Sequence, residues 1–341
     1  MSVSSKSDNY LNERFDQLNK WLGQVLGGDF NLTDLAADAG ARRYLRLHQN
    51  DKPSLVVMDA PPQWNDLQQF CDIAKLLHQH ELHVPRILHQ NLERGFLLLN
   101  DLGDDTYLKI LNQQNASVLF DQATTALVTM QRQVPVDNLL VYGESSMRSE
   151  LELFENWYLS QHLELHLAES MNKSLKATLD SICHRCASQP TVFTHRDFMP
   201  RNLMVCSPTP GILDFQDAQS GPITYDIISL FKDAFLSWEE EQVLDWSIRY
   251  WEKARSAKLP VRDDFGVFFE ELEWMGLQRH LKVLGVFSRL KYRDQKPHYL
   301  ADESRFLGYI RATANRYDAL APLLHVLDLI EGVERKTQHT F

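Results

Sequence analysis

The sequence predicts an α+β protein in which a small, strand-rich amino-terminal lobe precedes a large helical carboxy-terminal lobe. Short alternating or apolar segments bounded by turn residues, such as RRYLRLH and GFLLLN, concentrate in the first part of the chain and are typical of strands. Farther along, apolar residues recur mainly at the spacing of amphipathic helices. The pattern changes from strand-like to helical in the segment NDLGDDT, which predicts lobes of residues 1–103 and 104–341.

The amino-terminal lobe is predicted to run helix, hairpin, helix, hairpin. Apolar residues at helical spacing over 9–26 predict the first helix. The turn residues NDKP separate RRYLRLH from SLVVMDA and predict the first hairpin. An amphipathic helix is predicted over QWNDLQQFCDIAKLLHQHEL, and VPRILHQN with GFLLLNDLG predicts the second hairpin.

The carboxy-terminal lobe begins with predicted helices over YLKILNQQNASVLFDQATTALVTMQRQ, SELELFENWYLSQHLELHL and NKSLKATLDSICHRCAS. Three short strands follow, over TVFTH, NLMV and GILDF. From Tyr225 to the end, the pattern is almost entirely helical.

Composition and charge exclude several classes of protein. The 341 residues carry 35 basic and 46 acidic side chains, a formal net charge of −11, which argues against non-specific nucleic-acid binding. No apolar stretch approaches the length of a membrane span, and the start MSVSSKSDNY lacks the apolar segment of a signal peptide. We therefore expect a cytoplasmic protein, in which the C-x-x-C of CHRC is a pair of incidental thiols rather than a disulfide or zinc site.

Polar side chains with a definite spacing interrupt the three predicted strands. His195, Arg196 and Asp197 follow the first strand, Asn202 stands five residues after Asp197, and Asp214 ends the last strand. An Asp and an Asn carbonyl are hard oxygen ligands of the kind that Mg²⁺ prefers, and one further Asp is left to accept a proton. This division of labour is that of phosphoryl transfer, in which positioning and charge neutralisation supply most of the catalysis.

The same residues match the protein-kinase pattern H-R-D-x-x-x-x-N followed by D-F-G, except that Gln216 replaces the glycine. Here the sequence resembles the aminoglycoside phosphotransferase branch of the protein-kinase-like fold. The segment DFQDAQSGPITYDIISL, with Tyr225 and Asp226, also resembles the next element of that family. The activation segment and APE signature of protein kinases are missing. The resemblance implies a two-lobed fold and a small-molecule acceptor.

The segments SLVVMDAPP, LLLNDLGD, MGLQRHLKVLGVFSRLKYRD and RFLGYI are similar to one subgroup of that family, the anomeric kinases of N-acetylmuramate and N-acetylglucosamine. These enzymes transfer phosphate from ATP to the C1 hydroxyl and serve the recycling of peptidoglycan sugars toward UDP-sugars. The resemblance implies ATP and Mg²⁺ as cofactors, an amino-sugar substrate and a monomer without nucleic-acid or membrane partners.

Carried over to this chain, the resemblance implies that Asp197 is the catalytic base and that Asn202 and Asp214 are the metal ligands. His195 is expected to brace the catalytic loop through backbone contacts, and Asp226 to tie that loop to the following helix.

Nucleotide contacts are expected from Gly40 in the predicted phosphate-covering loop, from Arg43, and from Asp101 and Leu102 at the lobe boundary. One departure is that Met58 stands where the family carries a phosphate-binding Lys. Arg42, Arg43 and Arg46 lie on the neighbouring strand. Strand alternation places Arg42 and Arg46 on one face and Arg43 on the other, which leaves open the arginine that faces the phosphates.

The sugar is expected to contact Arg201, Glu150 and Trp157. Arg201 could meet a lactyl carboxylate or the transferred phosphate. Helical spacing over SELELFENWYL places Glu150 and Trp157 on one face, where a carboxylate beside an aromatic ring suits a sugar. An amphipathic helix with core aromatic residues explains the same pattern equally well.

Two alternatives stay open. Another small-molecule hydroxyl kinase of the same fold would act on an aminoglycoside or a choline-like alcohol. A non-catalytic nucleotide-binding module would account for Met58, although a catalytically inactive protein has no physical need to retain Asp197, Asn202 and Asp214 together.

Overall fold

A computed structural model describes residues 4–35, 42–64 and 66–333 of the chain. The elements in the first part of the chain are α1 (Ser4–Leu26), β1 (Asn31–Asp34), β2 (Arg43–His48), β3 (Leu55–Asp59), α2 (Leu67–Gln79), β4 (Ile87–Asn91) and β5 (Phe96–Asn100). They are followed by α3 (Tyr107–Ile110), α4 (Ala116–Gln133), α5 (Glu144–Leu153), a π-helix (Phe154–His162), α6 (Glu169–Ala187), β6 (Thr191–Thr194), a 3₁₀ turn (Pro200–Asn202), β7 (Leu203–Met204), β8 (Gly211–Ile212) and β9 (Gln219–Pro222).

The remaining elements are helical, as the sequence predicts after Tyr225. They are α7 (Tyr225–Phe231), α8 (Glu240–Ser256), α9 (Phe265–Tyr292), α10 (Glu303–Ala314), α11 (Ala321–Glu331) and two further 3₁₀ turns (Pro297–Asp302 and Asp318–Leu320). The predicted α+β class is therefore confirmed. Within the described residues, none of the helices combines the length and apolar character that a bilayer crossing requires.

The chain divides into two compact units. The first contains residues 1–105 together with residues 204–216, and the second contains residues 106–203 and 217–341. The segment 204–216, which holds β8 and Asp214, therefore packs with the strand-rich unit.

An antiparallel sheet of five strands in the order β1-β2-β3-β5-β4 forms the centre of the first unit. The sequence does not predict β1, whose four residues are mostly exposed. One face of the sheet packs against α1 through a cluster of buried apolar side chains. These are Leu18, Trp21 and Leu22 of α1 with Leu45, Leu47, Val57, Phe96 and Leu98 of the strands.

A buried ion pair lies on the same face of the sheet. The carboxylate of Asp59, only 4% exposed, accepts hydrogen bonds from Arg14 Nε at 2.6 Å and from Arg43 Nη2 at 3.0 Å. Two guanidinium groups compensate the desolvation of this carboxylate, and the removal of one would leave buried charge poorly paired.

Helix α2 holds the segment after β8 in place. Asp66 caps the helix by accepting the N–H of Gln69. The side chain of Gln69 then donates to the carbonyl of Gln216 at 2.8 Å, and the rings of Phe70 and Phe215 pack with centroids 4.8 Å apart. These contacts position the backbone on both sides of Asp214.

Several elements differ from the predictions, and the helix predicted over residues 107–133 is interrupted between α3 and α4. The helix predicted over residues 149–167 changes from α5 to a π-helix at Phe154, and no helix covers 164–167. The strands predicted over NLMV and GILDF are shorter, so Asp214 follows β8 rather than ending it. Strand β9, which pairs with β6, was not predicted because its Gln-Ser-Gly-Pro sequence reads as a turn.

Helix α9 runs through the second unit and contacts α5, α6, α7, α10 and the π-helix. Two glycines permit close packing. A Cβ at Gly276 would stand 3.2 Å from a side-chain carbon of Ile228. At Gly285 a Cβ would meet backbone atoms, the carbonyl carbon of Leu153 at 2.3 Å and the nitrogen of Phe154 at 2.5 Å.

We predict that Gly285→Ala destabilises the protein because backbone atoms cannot move aside as a flexible side chain can. Overpacking of this kind costs about 2 kcal/mol in the free energy of unfolding, which outweighs the gain in helix propensity. Gly308→Ala is the matched control, since Gly308 also lies within a helix but a Cβ there meets nothing within 4 Å. Urea-induced unfolding should show a loss for the first variant and no loss for the second. Equal stability of Gly285→Ala and the wild-type protein would contradict the packing described.

Candidate active site

The loop after β6 is held by one buried carboxylate. Asp226, 1% exposed, accepts the backbone N–H of His195 at 2.7 Å and that of Arg196 at 3.0 Å. The loop is therefore tied to α7, as the sequence predicts for Asp226. Arg196 adopts a φ of 79°, a left-handed backbone conformation that costs energy for a residue with a Cβ and persists only where surrounding contacts impose it.

Asp197 and Asn202 lie together in this loop. His195 Nδ1 accepts the N–H of Asp197 at 3.3 Å, which is the bracing contact expected of His195. The side-chain amide of Asn202 donates to the carbonyl of Asp197 at 3.0 Å. This bond fixes the orientation of the amide, with its nitrogen as the donor. Within the described part of the chain, no group donates a hydrogen bond to the carboxylate of Asp197.

Asp214 lies in the first unit, two residues beyond β8, with a φ of 62°. Its Oδ1 accepts a hydrogen bond from Gln216 Nε2 at 2.8 Å and lies 3.9 Å from Arg42 Nη1. Gln216, which replaces the glycine of the kinase motif, thus orients the carboxylate. A half-exposed carboxylate oxygen and an oriented amide oxygen are donors suited to Mg²⁺, which usually completes its coordination with water and phosphate.

Glu150 points into a network of buried donors. Its Oε1 pairs with Arg196 at 2.5 Å and Lys282 at 2.9 Å, and its Oε2 accepts from the hydroxyl of Tyr142 at 2.5 Å and from Gln278 at 3.1 Å. Both carboxylate oxygens are therefore engaged by the protein. The contact that links Glu150 to the catalytic loop is the ion pair with Arg196.

This network gives a physical role to the segment MGLQRHLKVLG. Gln278 and Lys282 reach Glu150 from α9, and Arg279 Nη1 donates to the hydroxyl of Tyr225 at 3.2 Å. Burial alone lowers the pKa of Arg279, but the nearby hydroxyl of Tyr225 and the carboxylates of Asp197 and Asp233 raise it above its ordinary value. The basic residues Arg279 and Lys282 among the apolar residues of MGLQRHLKVLG were the available signal, because buried charges require partners.

Arg196 completes the network by stacking on aromatic rings. Its guanidinium lies 3.5 Å from the ring centroid of Tyr142 and 4.8 Å from that of Tyr225. Sequence reasoning did not identify Arg196, Tyr142 or Tyr225 as parts of the site. Cation–π contacts and the Glu150 ion pair together fix the residue that precedes Asp197.

The structure separates the predicted substrate residues. Arg201 lies in the catalytic loop, with its guanidinium 5.3 Å from the ring centroid of Phe235. Trp157 lies in the π-helix and is partly buried. The π-helix begins after Glu150, so the α-helical spacing behind the prediction does not hold from Glu150 to Trp157.

The residues predicted to contact the nucleotide lie in different environments. Gly40 lies outside the described residues. Arg43 pairs with Asp59 on the α1 face of the sheet. Asp101 accepts from Arg46 Nε at 2.6 Å and from Ser54 at 2.8 Å. Burial alone would raise the pKa of Asp101, but these donors hold it below its ordinary value.

Beside Asp101, Leu102 lies where the chain leaves β5. A Cβ built on Gly211 would stand 2.9 Å from a methyl carbon of Leu102. The glycine is therefore required for the close approach of the β7–β8 hairpin to this residue.

We predict that Glu150 makes the stability of the protein depend on pH. Burial alone would raise its pKa, but the charges of Lys282 and Arg196 lower it to about 2. A depressed carboxyl pKa contributes stability above the unfolded value of 4.5, and this stability is lost as pH falls toward the folded value. Between pH 6 and pH 3, wild type should lose about 2 kcal/mol more than Glu150→Gln in the free energy of unfolding.

Urea titrations at the two pH values measure this difference. Glu152→Gln is the matched control, because Glu152 is exposed on the same helix, and its pH dependence should follow that of wild type. Parallel curves for wild type and Glu150→Gln would show that the Glu150 network does not stabilise the charged carboxylate.

Comparison with known proteins agrees with this geometry. The family model of the phosphotransferase enzyme family (APH) matches residues 31–262. An N-acetylmuramate/N-acetylglucosamine kinase of Pseudomonas aeruginosa is 45% identical over 333 residues, covering 94% of this chain and 98% of that protein. The protein of the same name from Neisseria meningitidis serogroup B is 43% identical over 335 residues, covering 96% of this chain and 100% of that protein.

Solved structures show the fold. The choline kinase LicA from Streptococcus pneumoniae superposes with a TM-score of 0.63 at 13% identity, covering 89% of this chain and 99% of that one. The ADP-bound aminoglycoside phosphotransferase APH(2'')-Ib superposes with a TM-score of 0.58 at 15% identity, covering 87% of this chain and 97% of that one. The expected kinase-like fold is confirmed, and the chain belongs to the phosphotransferase enzyme family.

Proposed function

We propose that the protein transfers the terminal phosphate of ATP to the anomeric C1 hydroxyl of N-acetylmuramate and N-acetylglucosamine. The observation that carries the proposal is the carboxylate of Asp197. It receives no hydrogen bond from the described residues, although its backbone is clamped on both sides. The relatives named for these two sugars cover nearly the whole chain and point to the substrate class. The sugar 1-phosphate formed would enter recycling toward UDP-sugars.

Asp197 is proposed as the general base that accepts the proton of the attacking hydroxyl. An anomeric hydroxyl is more acidic than an ordinary alcohol, so that a carboxylate suffices for this proton transfer. The role requires a carboxylate that the protein does not neutralise with its own donors. The bonds from Asp226 to the loop and from Asn202 to the Asp197 carbonyl supply the fixed position that the reaction needs.

Asn202 and Asp214 are proposed as ligands of Mg²⁺. When bound, the metal would neutralise charge on the phosphates of ATP. The amide oxygen of Asn202 is oriented by the bond that its nitrogen makes, and the carboxylate of Asp214 is oriented by Gln216. Each side chain is therefore held in a defined orientation.

Arg201 is proposed to contact the substrate, whereas we assign Glu150 a positioning role. Arg201 belongs to the same loop as Asp197, and its guanidinium can bind a lactyl carboxylate or a phosphate through two parallel hydrogen bonds. Glu150 has both oxygens engaged and fixes Arg196 instead. Trp157 is retained as a substrate candidate because its ring is only partly buried.

We predict that Asp197→Asn lowers kcat by about a hundredfold or more, because it removes a positioned base. The affinity for ATP should change little, since Asp197 acts on the attacking hydroxyl. Steady-state kinetics and nucleotide titration measure the two quantities. Asp263→Asn, which changes a fully exposed carboxylate in the same way, should behave as wild type. A variant at Asp197 with the wild-type rate would remove it from the mechanism.

The position of transfer is tested with a blocked sugar. Phosphorus NMR should show a sugar 1-phosphate from N-acetylglucosamine and from N-acetylmuramate. The methyl glycoside of N-acetylglucosamine should give no product because its C1 oxygen carries no proton. Phosphorylation of the methyl glycoside would place the transfer at another hydroxyl. Turnover of an aminoglycoside or choline in place of both sugars would favour the alternative small-molecule kinase.

A further inference from the structure

Three cationic side chains surround one buried tyrosine in the second unit. Arg279 Nη1 and Lys282 Nζ donate to the hydroxyl of Tyr225 at 3.2 Å and 3.3 Å. The guanidinium of Arg196 lies 4.8 Å from the centroid of the same ring. A tyrosine hydroxyl is a neutral donor and acceptor. Tyr225 can therefore orient these cations, but it cannot neutralise them.

Within the described residues, the ion pairs of these three cations involve a single carboxylate. Glu150 Oε1 lies 2.5 Å from Arg196 Nη2 and 2.9 Å from Lys282 Nζ. In the same part of the chain, no carboxylate lies within ion-pair distance of Arg279, whose guanidinium makes one hydrogen bond, to Tyr225. Arg279 is nevertheless only 5% exposed. A buried guanidinium with five donors and one neutral partner is costly unless another group supplies negative charge.

Carboxylates beyond ion-pair distance do not supply a bonded counter-ion for Arg279. Asp197, Asp226 and Asp233 act on its guanidinium only through their charge. Asp226 accepts two backbone N–H groups of the catalytic loop, and Asp233 accepts the N–H of Phe235 at 3.3 Å. Burial raises the pKa of Asp226 to about 7 and that of Asp233 above its ordinary value, which reduces the negative charge that these two groups offer.

The cationic cluster adjoins the catalytic loop and is accessible at Lys282. Arg196 directly precedes Asp197, and Arg279 and Lys282 lie three residues apart on one face of α9. The side chain of Lys282 is 19% exposed. Its ammonium group has two partners within the described residues, which leaves one of its three donors for another acceptor. Because Arg279 and Lys282 bond to the same hydroxyl oxygen, an anion that reaches Lys282 is also close to Arg279.

We propose that Arg279 and Lys282 bind the lactyl carboxylate of N-acetylmuramate. This inference rests on the proposed function and names the residues that distinguish its two substrates, because N-acetylglucosamine has no carboxylate. A planar guanidinium offers parallel donors to a carboxylate, and such charge-assisted hydrogen bonds are stronger than neutral ones. Lys282 adds a further donor from the same face of α9.

The surrounding contacts hold both cations ready for this carboxylate. The hydroxyl of Tyr225 positions Arg279, and Glu150 positions Lys282. Both cations belong to the segment MGLQRHLKVLG, by which the sequence resembles the kinases of these two sugars. The assignment gives that segment a role toward the substrate in addition to its role in packing.

Steady-state kinetics with three sugars test this assignment: N-acetylmuramate, its neutral lactyl amide and N-acetylglucosamine. In wild type, the amide should have a kcat/KM about 10- to 100-fold below that of the acid, the effect of losing charge-assisted hydrogen bonds. This comparison needs no substitution, so it decides the question even if a variant does not fold. Arg279→Met should lower kcat/KM for the acid by a similar factor and should treat acid and amide alike. Arg279→Lys should restore part of the preference for the acid.

The ratio of kcat/KM for N-acetylmuramate to that for N-acetylglucosamine separates carboxylate binding from general damage to the site. This ratio should fall in Arg279→Met and in Lys282→Met. Because Lys282 also supports Glu150, its variant should in addition lose activity toward both sugars, which does not change the ratio. Arg249→Met is the matched control, since Arg249 is an exposed arginine on α8, and it should keep the ratio of wild type.

Each outcome separates this inference from the proposed function. Equal kcat/KM for acid and amide in wild type would overturn the carboxylate assignment while leaving a sugar kinase intact. An equal loss for both sugars in Arg279→Met would place Arg279 in the fold or at the transferred phosphate, and would also overturn it. A fall of the ratio in Arg201→Met alone would assign the carboxylate to Arg201 instead. Failure of wild type to phosphorylate either sugar would overturn the proposed function itself.

Discussion

The carboxylate of Asp226 accepts the backbone N–H groups of His195 and Arg196, and the geometry of the catalytic loop depends on these two bonds. Because the acceptor is buried on α7, the loop cannot move independently of the second unit's core. The next residue is Asp197, whose own N–H bonds to His195 and whose carbonyl accepts from Asn202. These hydrogen bonds are made by the backbone of Asp197. Its carboxylate receives none from the described residues and is the group proposed to act on the substrate.

A buried network of charges surrounds this loop from the other side. Glu150 joins Arg196 of the loop to Lys282 of α9, and Tyr142 and Tyr225 enclose the guanidinium of Arg196. Desolvation offsets much of the Coulomb attraction in a buried ion pair, but around Glu150 the charges of Lys282 and Arg196 outweigh it. The same contacts hold the side chain of Arg196 in one place and so support its left-handed backbone conformation. Close packing at Gly285 brings α9 near enough to supply that partner.

In the first unit, arginines lie on both faces of the five-stranded sheet. On the α1 face, Arg14 and Arg43 neutralise Asp59 within an apolar cluster. On the opposite face, Arg46 neutralises Asp101, and Arg42 approaches Asp214. The alternation of a single strand therefore separates arginines that stabilise the fold from the one that lies beside a proposed metal ligand.

Local patterns in the sequence were sufficient for the class of fold and for the identity of the residues proposed to act on phosphate. Asp197, Asn202 and Asp214 were recognisable because they stand at short, defined spacings between strand-like runs, and the resemblance to the family pointed to Asp226. Helical and alternating periodicities likewise predicted most helices and strands, since these depend on neighbours a few residues apart. Alternation also separated Arg42 from Arg43 without naming their partners.

Only the tertiary structure decided which side chains meet. Glu150 finds Arg196 across 46 residues of chain and Gln278 across 128, and no local pattern encodes such pairs. The π-helix that holds Trp157 was also not readable from the sequence, because α-helical spacing over this segment predicts an ordinary helix. The partner of Arg43 likewise depends on the register of β2 against β3, and that of Arg46 on where the end of β5 lies. Long-range contacts of this kind settle which charged side chains neutralise one another.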